Sequence, residues 1–347
     1  MYNKPIIDAH NHLMNSNKGI KQFAKIKEVF GYERINILSL ELMTNALQNP
    51  RMLVYKLHSP NDYIFGSLNH NISIPFMEQL KQMEMLGFDG IKMIEGKPDS
   101  RLKSDLPLND KTYDDFYSYL EEKQIPLLLH VADPEEFWDE EKVPKWAKRA
   151  GWFWGDERYP KKEELYEEVD KVLEKFPNLV IILAHFYFLS ADLERADKFL
   201  EKHPNVYFDI TSGKEMYFNF SKRPEDYRNF FTKYQDRIIY GTDNVDIADP
   251  ENSEDMNIFN NMQMDFLTTD KEFTAWGDKV IGINLDEGAL DKILHDNFYK
   301  LVKEPKKVDK EQVIRYCQER LGKAEEYKLD KDMIKDLEEL IFMTMEK

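Results

Sequence analysis

PIIDAHNH, residues 5–12, is a short apolar run that ends on two histidines one pleat apart. Alternation along a strand puts His10 and His12 on one face, close enough to hold one ion. Alone the pair is a weak signal, because two histidines satisfied at a surface or in a core read the same way. The fold is decided by seven further runs of the same kind. They are RINILSL (34–40), DYIFGSLNH (62–70), GFDGIKMI (87–94), PLLLHVAD (126–133), LVIILAHF (179–186), VYFDITS (206–212) and RIIYGTD (237–243). Amphipathic helical patterns fall between them, at 76–86, 112–124, 163–176, 191–203 and 224–235. Strands alternating with helices predict parallel βαβ units, and eight such units predict a closed (β/α)8 barrel, an α/β TIM barrel. An open doubly wound sheet is the rival. It usually carries fewer strands and often a glycine-rich phosphate loop, and this chain has neither GxGxxG nor GxxxxGK[ST].

Three more candidate ligands stand where the first two do. His130 follows LLL, His185 follows VIILA and Asp243 follows IIYGT. In a parallel barrel the C-terminal strand ends converge on one face, where barrel active sites lie. Four of the eight histidines are thereby placed to meet one aspartate, which predicts a metal site.

With these segments in hand, the chain resembles the amidohydrolase superfamily, and within it the amidohydrolase-2 branch that includes aminocarboxymuconate-semialdehyde decarboxylase. The matching segments are IIDAHNH, LLLHVADP, NLVIILAHF, PNVYFDITS, RIIYGTDN and the late helix LDKILHDNFYKL, from residue 5 to about 302. The resemblance implies that His10, His12, His130 and Asp243 bind one divalent metal, commonly zinc, and that His185 sits beside it; the donor set itself suits manganese or iron as well. The residue types suit that role. Three neutral nitrogens and one carboxylate leave a position for water, whose pKa a metal lowers. Asp243 can take a proton from that water and pass it on, and His185 can donate a hydrogen bond to a substrate carbonyl. The plainer role for His185 is to support a ligand from behind without touching the metal.

Lys92, in GIKMIEGK, sits near the end of the fourth run. In some relatives a lysine there is carboxylated and bridges two metals; the branch resembled here points to one. Lys92 then serves as a cation for a substrate carboxylate or as a strand-end surface lysine. Asp8, one pleat before His10, either orients a ligand or fills a polar layer. His70 ends the third run, within reach of a substrate. Residues 134–162 carry four of the five tryptophans and are too long for an ordinary connection. They read either as a lid over an apolar substrate or as a loop packed on the rim. Residues 1–302 form the barrel domain, and 303–347 read as its C-terminal helical extension.

Composition excludes some classes of function. There are 48 Lys+Arg against 65 Asp+Glu, a net charge of −17, so no basic excess exists for nucleic acid. No apolar run reaches the length of a membrane span, and MYNKPIIDAHNH has no leader-like stretch. One cysteine, Cys317, cannot form an internal disulfide. A cytoplasmic protein acting on a small molecule is expected, with a homo-oligomer left open. Hydrolysis of an amide, lactone or ester by metal-activated water is the first reading. Non-oxidative decarboxylation of a small carboxylic acid is the second, and a non-enzymatic metal-stabilised scaffold the third.

Overall fold

The computed structural model describes residues 2–14, 16–44, 47–211, 213–247 and 249–346. Ser212 and Lys347, at the ends of two segments read above, lie outside them. The strands are β1 (Ile7–His12), β2 (Arg34–Leu38), β3 (Tyr63–Gly66), β4 (Gly90–Gly96), β5 (Leu127–Val131), β6 (Ile181–Leu183), β7 (Val206–Asp209), β8 (Ile238–Ile239) and β9 (Asn244–Val245). They pair in parallel in the order β8-β7-β6-β5-β4-β3-β2-β1-β9. β8 and β9 are two parts of one eighth barrel strand, interrupted at 240–243. Its first part pairs with β7 and its second with β1. Hydrogen bonds from Ala9 N to Tyr240 O and from Asp243 N to His10 O join the eighth strand to the first, so the barrel closes.

The strands read as continuous apolar runs because both faces are covered. Ile7, Leu38, Phe65, Leu128, Ile182 and Ile239 cluster together, drawn from six different strands, which places them inside the barrel. Phe298 seals that cluster, stacked on Phe65 at 5.9 Å and edge-on to Tyr63 at 5.3 Å. The opposite faces pack on the helices; Ile37, Ile64, Leu129 and Phe208 belong to that larger core.

The five helical patterns all form helices, Phe76–Leu86 with the bounds expected. Periodicity did not reveal the antiparallel hairpin Glu272–Ala275 and Asp278–Ile281, which turns at a left-handed Gly277. Residues 134–162 fold around a small core of their own, made by Phe137, Val143, Ala147 and Trp154. Among the described residues no helix is long and apolar enough to cross a membrane.

Beyond Val302 the helices Lys310–Gly322 and Lys331–Glu346 pack on each other and on the helix Gln48–His58. Cys317 is buried there. Arg51 donates to Asp336 at 2.7 and 2.9 Å, and the buried Arg320 lies 3.6 Å from the fully buried Glu41. Glu41 also accepts from Asn49 N and Asn69 Nδ2, and so organises the chain beyond β2 and β3. Arg320→Ala leaves that carboxylate buried without its cation. The expected destabilisation is about 3–5 kcal/mol, read by urea unfolding. A loss under about 1 kcal/mol would show that the amide donors alone satisfy Glu41.

Candidate metal centre

Three side chains meet at the C-terminal face of the barrel. His10 Nε2 and His12 Nε2 lie 3.2 Å apart, and Asp243 Oδ1 is 3.2 Å from the His12 nitrogen and 3.8 Å from the His10 nitrogen. The other ring nitrogens fix the chemistry of these atoms. His10 Nδ1 donates to Asp209 Oδ2 at 2.8 Å, and His12 Nδ1 donates to the Leu38 carbonyl at 3.2 Å. A carbonyl only accepts, so in the neutral ring Nδ1 carries the proton and Nε2 the lone pair. Two lone pairs and a carboxylate oxygen therefore face one another. An added proton can relieve one pair of them; a cation relieves all three at once.

The backbone brings these atoms together by departing from regular strand. Asp243 is left-handed, with φ +60°, a conformation aspartate tolerates better than most residues. Asp8 holds the bend. Its carboxylate accepts from Thr242 N and Oγ1 at 3.1 and 2.6 Å, and from His10 N at 3.3 Å. Asp8 thus orients the backbone that carries His10 and Asp243, through backbone N–H groups and the Thr242 hydroxyl. Gly241 is required by space: a Cβ there would meet Thr211 Oγ1 at 2.7 Å and His10 Cβ at 2.8 Å.

His185 and His130 stand beside this group. The ring centroid of His185 is 5.5 Å from that of His10 and 4.9 Å from that of His130. His185 opens a run of four residues, to Phe188, all with φ between +49° and +56°. Each such residue costs on the order of 1 kcal/mol or more, and the surrounding packing must hold it. Phe188 is held against His185 at 5.1 Å and against His130 at 5.5 Å. His185 Nδ1 lies 3.4 Å from the Thr211 carbonyl, which leaves Nε2 as the lone pair. In that tautomer a neutral His185 offers an acceptor at Nε2, and a protonated His185 offers a donor there. His130 Nε2 lies 3.0 Å from the Ala132 carbonyl, and neither His130 nitrogen belongs to the close group of His10, His12 and Asp243.

Burial, with the Lys92 charge, pushes the His10 imidazole well below its ordinary pKa. Burial and the neighbouring His130 take His185 down to about 4, and burial lowers His130 as well. These three rings are neutral near pH 7, the form that binds metals.

Lys92 is not a surface residue near a strand end. β4 runs on to Gly96, so Lys92 sits in its middle, paired with Leu128, and is buried. Burial lowers its ammonium to about 8, against the pull of the Asp209, Asp243 and Glu95 carboxylates. His70 lies beyond the end of β3. Its Nε2 is 2.8 Å from Glu95 Oε1 and its ring packs on Phe76 at 4.8 Å.

Asp209 went unnoticed in the sequence. It closes β7, is fully buried, and accepts from His10 Nδ1, from His185 N at 2.7 Å and from Thr211 N at 3.1 Å. The signal was the one that flagged Asp243, an acid closing an apolar run at a C-terminal strand end. Asp133, beside His130, was missed in the same way.

A cavity of 610 Å³ is walled by the segment after β5, the loop after β6 and the helix after β7, and none of His10, His12, His130, His185 and Asp243 lines it. Phe188 is its wall toward the histidines. Lys162 and Glu215 line it, and burial raises the Glu215 carboxyl to about 7.

Residues 75–303 match the family model described as Amidohydrolase. That stretch holds His130, His185 and Asp243 and begins after His10 and His12. Several solved structures share the fold. An uncharacterised TIM-barrel protein from Bordetella bronchiseptica is 14% identical with a TM-score of 0.55, over 86% of this chain and 98% of that one. The 4-oxalomesaconate hydratase of Rhodopseudomonas palustris is 15% identical with a TM-score of 0.54, over 92% and 99%. The IDCase of Metarhizium anisopliae, in apo form, is 12% identical with a TM-score of 0.53, over 87% and 97%. Among curated proteins none matches the chain in sequence.

Proposed function

The chain belongs to the amidohydrolase family, and we propose that it is a metal-dependent hydrolase of a small-molecule amide, lactone or ester. The observation that carries this reading is the meeting of His10 Nε2, His12 Nε2 and Asp243 Oδ1, three acceptors with no donor between them. His10, His12 and Asp243 would hold a divalent ion, zinc first, with His130 Nδ1 as a further ligand from the side. When bound, that ion acidifies water and polarises a carbonyl oxygen.

The protein's own groups do the rest. Asp209 and the Leu38 carbonyl hold the two imidazoles in the tautomer that presents Nε2. Asp243 faces the imidazoles through Oδ1, and its other oxygen can take a proton from water and deliver it to the leaving nitrogen or oxygen. His185 Nε2 can accept a proton on the opposite side. The cavity behind Phe188 takes the rest of the substrate, with Lys162 and Glu215 offering charge of both signs. Water-dependent cleavage is the expected outcome of a screen over amides, lactones and esters. Carbon dioxide release from a carboxylic acid, without water consumed, would replace hydrolysis by decarboxylation.

Lys92 supports a second reading, because it is buried in the barrel beside these histidines. Carboxylated, it would bridge two ions, with His130 and His185 on the second. Elemental analysis of the purified protein separates the two. About one equivalent of metal per chain is expected. About two would establish the bridged site, and none, with none taken up from added zinc or manganese, would overturn the metal reading.

A further inference from the structure

The segment after β5 is tied to a candidate ligand through one carboxylate. His130 Nε2 donates to the Ala132 carbonyl at 3.0 Å and lies 3.5 Å from Asp133 Oδ1. Asp133 is itself buried and fixed from the other side. Its Oδ2 accepts from Lys97 Nζ and from Trp154 Nε1, the latter at 2.9 Å. The Lys97 ammonium lies 4.6 Å from the ring centre of Trp152 and 5.1 Å from that of Trp154. Trp154 is buried in the small core of residues 134–162, and its backbone N–H donates to the Phe137 carbonyl at 2.7 Å.

These contacts give the tryptophan-rich segment a task other than that of a lid. Both strong donors to Asp133 act on Oδ2, which leaves Oδ1 free to face His130. Lifting the segment away would strip Asp133 of the indole N–H and take the aromatic faces from Lys97. A buried carboxylate that loses a donor is costly, about 1–3 kcal/mol, so the segment is held down. A histidine whose distal nitrogen is fixed presents its other nitrogen in one orientation, and such outer partners typically change metal affinity by about 10–100-fold.

We infer that Asp133 is a positioning residue for His130, and that Trp154 and Lys97 clamp it there, so that the packing of residues 134–162 sets the metal affinity of the site. This rests on the metal reading above. Indole Nε1–H is the specific link, which makes Trp154→Phe the informative variant, since it keeps an aromatic ring in the small core. Trp138→Phe is the control. Trp138 packs against the same core, but its Nε1 donates to the Pro160 carbonyl and not to Asp133.

Zinc affinity is measured by competition with a chelating dye on metal-stripped protein, with circular dichroism and the metal-free Tm recorded for each variant. Trp154→Phe is expected to weaken zinc binding about tenfold. Trp138→Phe should stay within twofold of the wild type, whatever it does to the metal-free Tm. Asp133→Asn should weaken binding at least as much as Trp154→Phe. Two results overturn the inference: Trp154→Phe binding zinc as the wild type does, or Trp138→Phe losing as much as Trp154→Phe. A wild type that binds no zinc overturns the metal reading itself, and this inference with it.

Discussion

Asp243→Asn is expected to keep the fold and abolish the function. Asparagine has nearly the same shape and tolerates the left-handed backbone at φ +60°, so the bend held by Asp8 and Thr242 survives. The change removes one negative charge from a group whose other members are the imidazoles of His10 and His12. It also removes the carboxylate that, among the described residues, faces both Nε2 atoms. Metal content should fall well below one equivalent. Hydrolytic turnover, on whichever ester or amide the wild type cleaves, should fall by about 10³-fold or more, because a ligand and a proton carrier are lost together. The metal-free Tm should change little. Wild-type turnover in the variant would sink the mechanism. Wild-type metal content with lost turnover would keep Asp243 as the proton carrier and pass the ligand role to the histidines alone.

The barrel could be read from the sequence because both of its periodicities are strong. Strands covered on both faces are continuous apolar runs, and LVIILAHF and PLLLHVAD can hardly be anything else once helices separate them. Boundaries were harder. β4 was expected to end near Ile94 and runs to Gly96, which moved Lys92 from the rim into the middle of the strand. Nothing in GIKMIEG marks that end, because the glycine that closes it reads like the glycine that opens it. The eighth strand read as one run, yet its hydrogen bonds split between β7 and β1 around the bend at Gly241. The bend depends on a contact with Thr211 and His10 that no local pattern encodes. The pair alone was a weak signal; His10 and His12 were legible because His130, His185 and Asp243 stand at the ends of other apolar runs in the same way. Their partners were not. Asp209 and Asp133 are single acids at strand ends, and only the folded barrel shows that each one faces a histidine. The protonation pattern of His185 was out of reach for a related reason. A sequence names the imidazole, but the carbonyl opposite Nδ1 decides which nitrogen carries the proton.

Asp209 carries the second large effect, and the expected result for Asp209→Asn follows from counting donors. The carboxylate receives His10 Nδ1–H on Oδ2, and the backbone N–H groups of His185 and Thr211 on Oδ1. Asparagine offers one acceptor oxygen and one NH₂. If the oxygen keeps the two backbone groups, the NH₂ faces His10, which must then accept on Nδ1 and carry its proton on Nε2. That puts a donor where a metal would need a lone pair. If the amide flips, His10 keeps its tautomer, but the backbone N–H of His185, where the left-handed run starts, and that of Thr211 lose their acceptor. The first arrangement costs metal affinity and the second costs stability, about 1–3 kcal/mol for each buried group left unmet. Chelator competition should therefore show a loss of about 10–100-fold in metal affinity, a fall in Tm, or both. Asp209→Ala removes the choice and should show both. Asp209→Asn with unchanged metal affinity and unchanged Tm would mean that Thr211 Oγ1, 3.2 Å from His10 Nδ1, holds the imidazole instead. In that case Thr211→Val would be the variant that loses the metal.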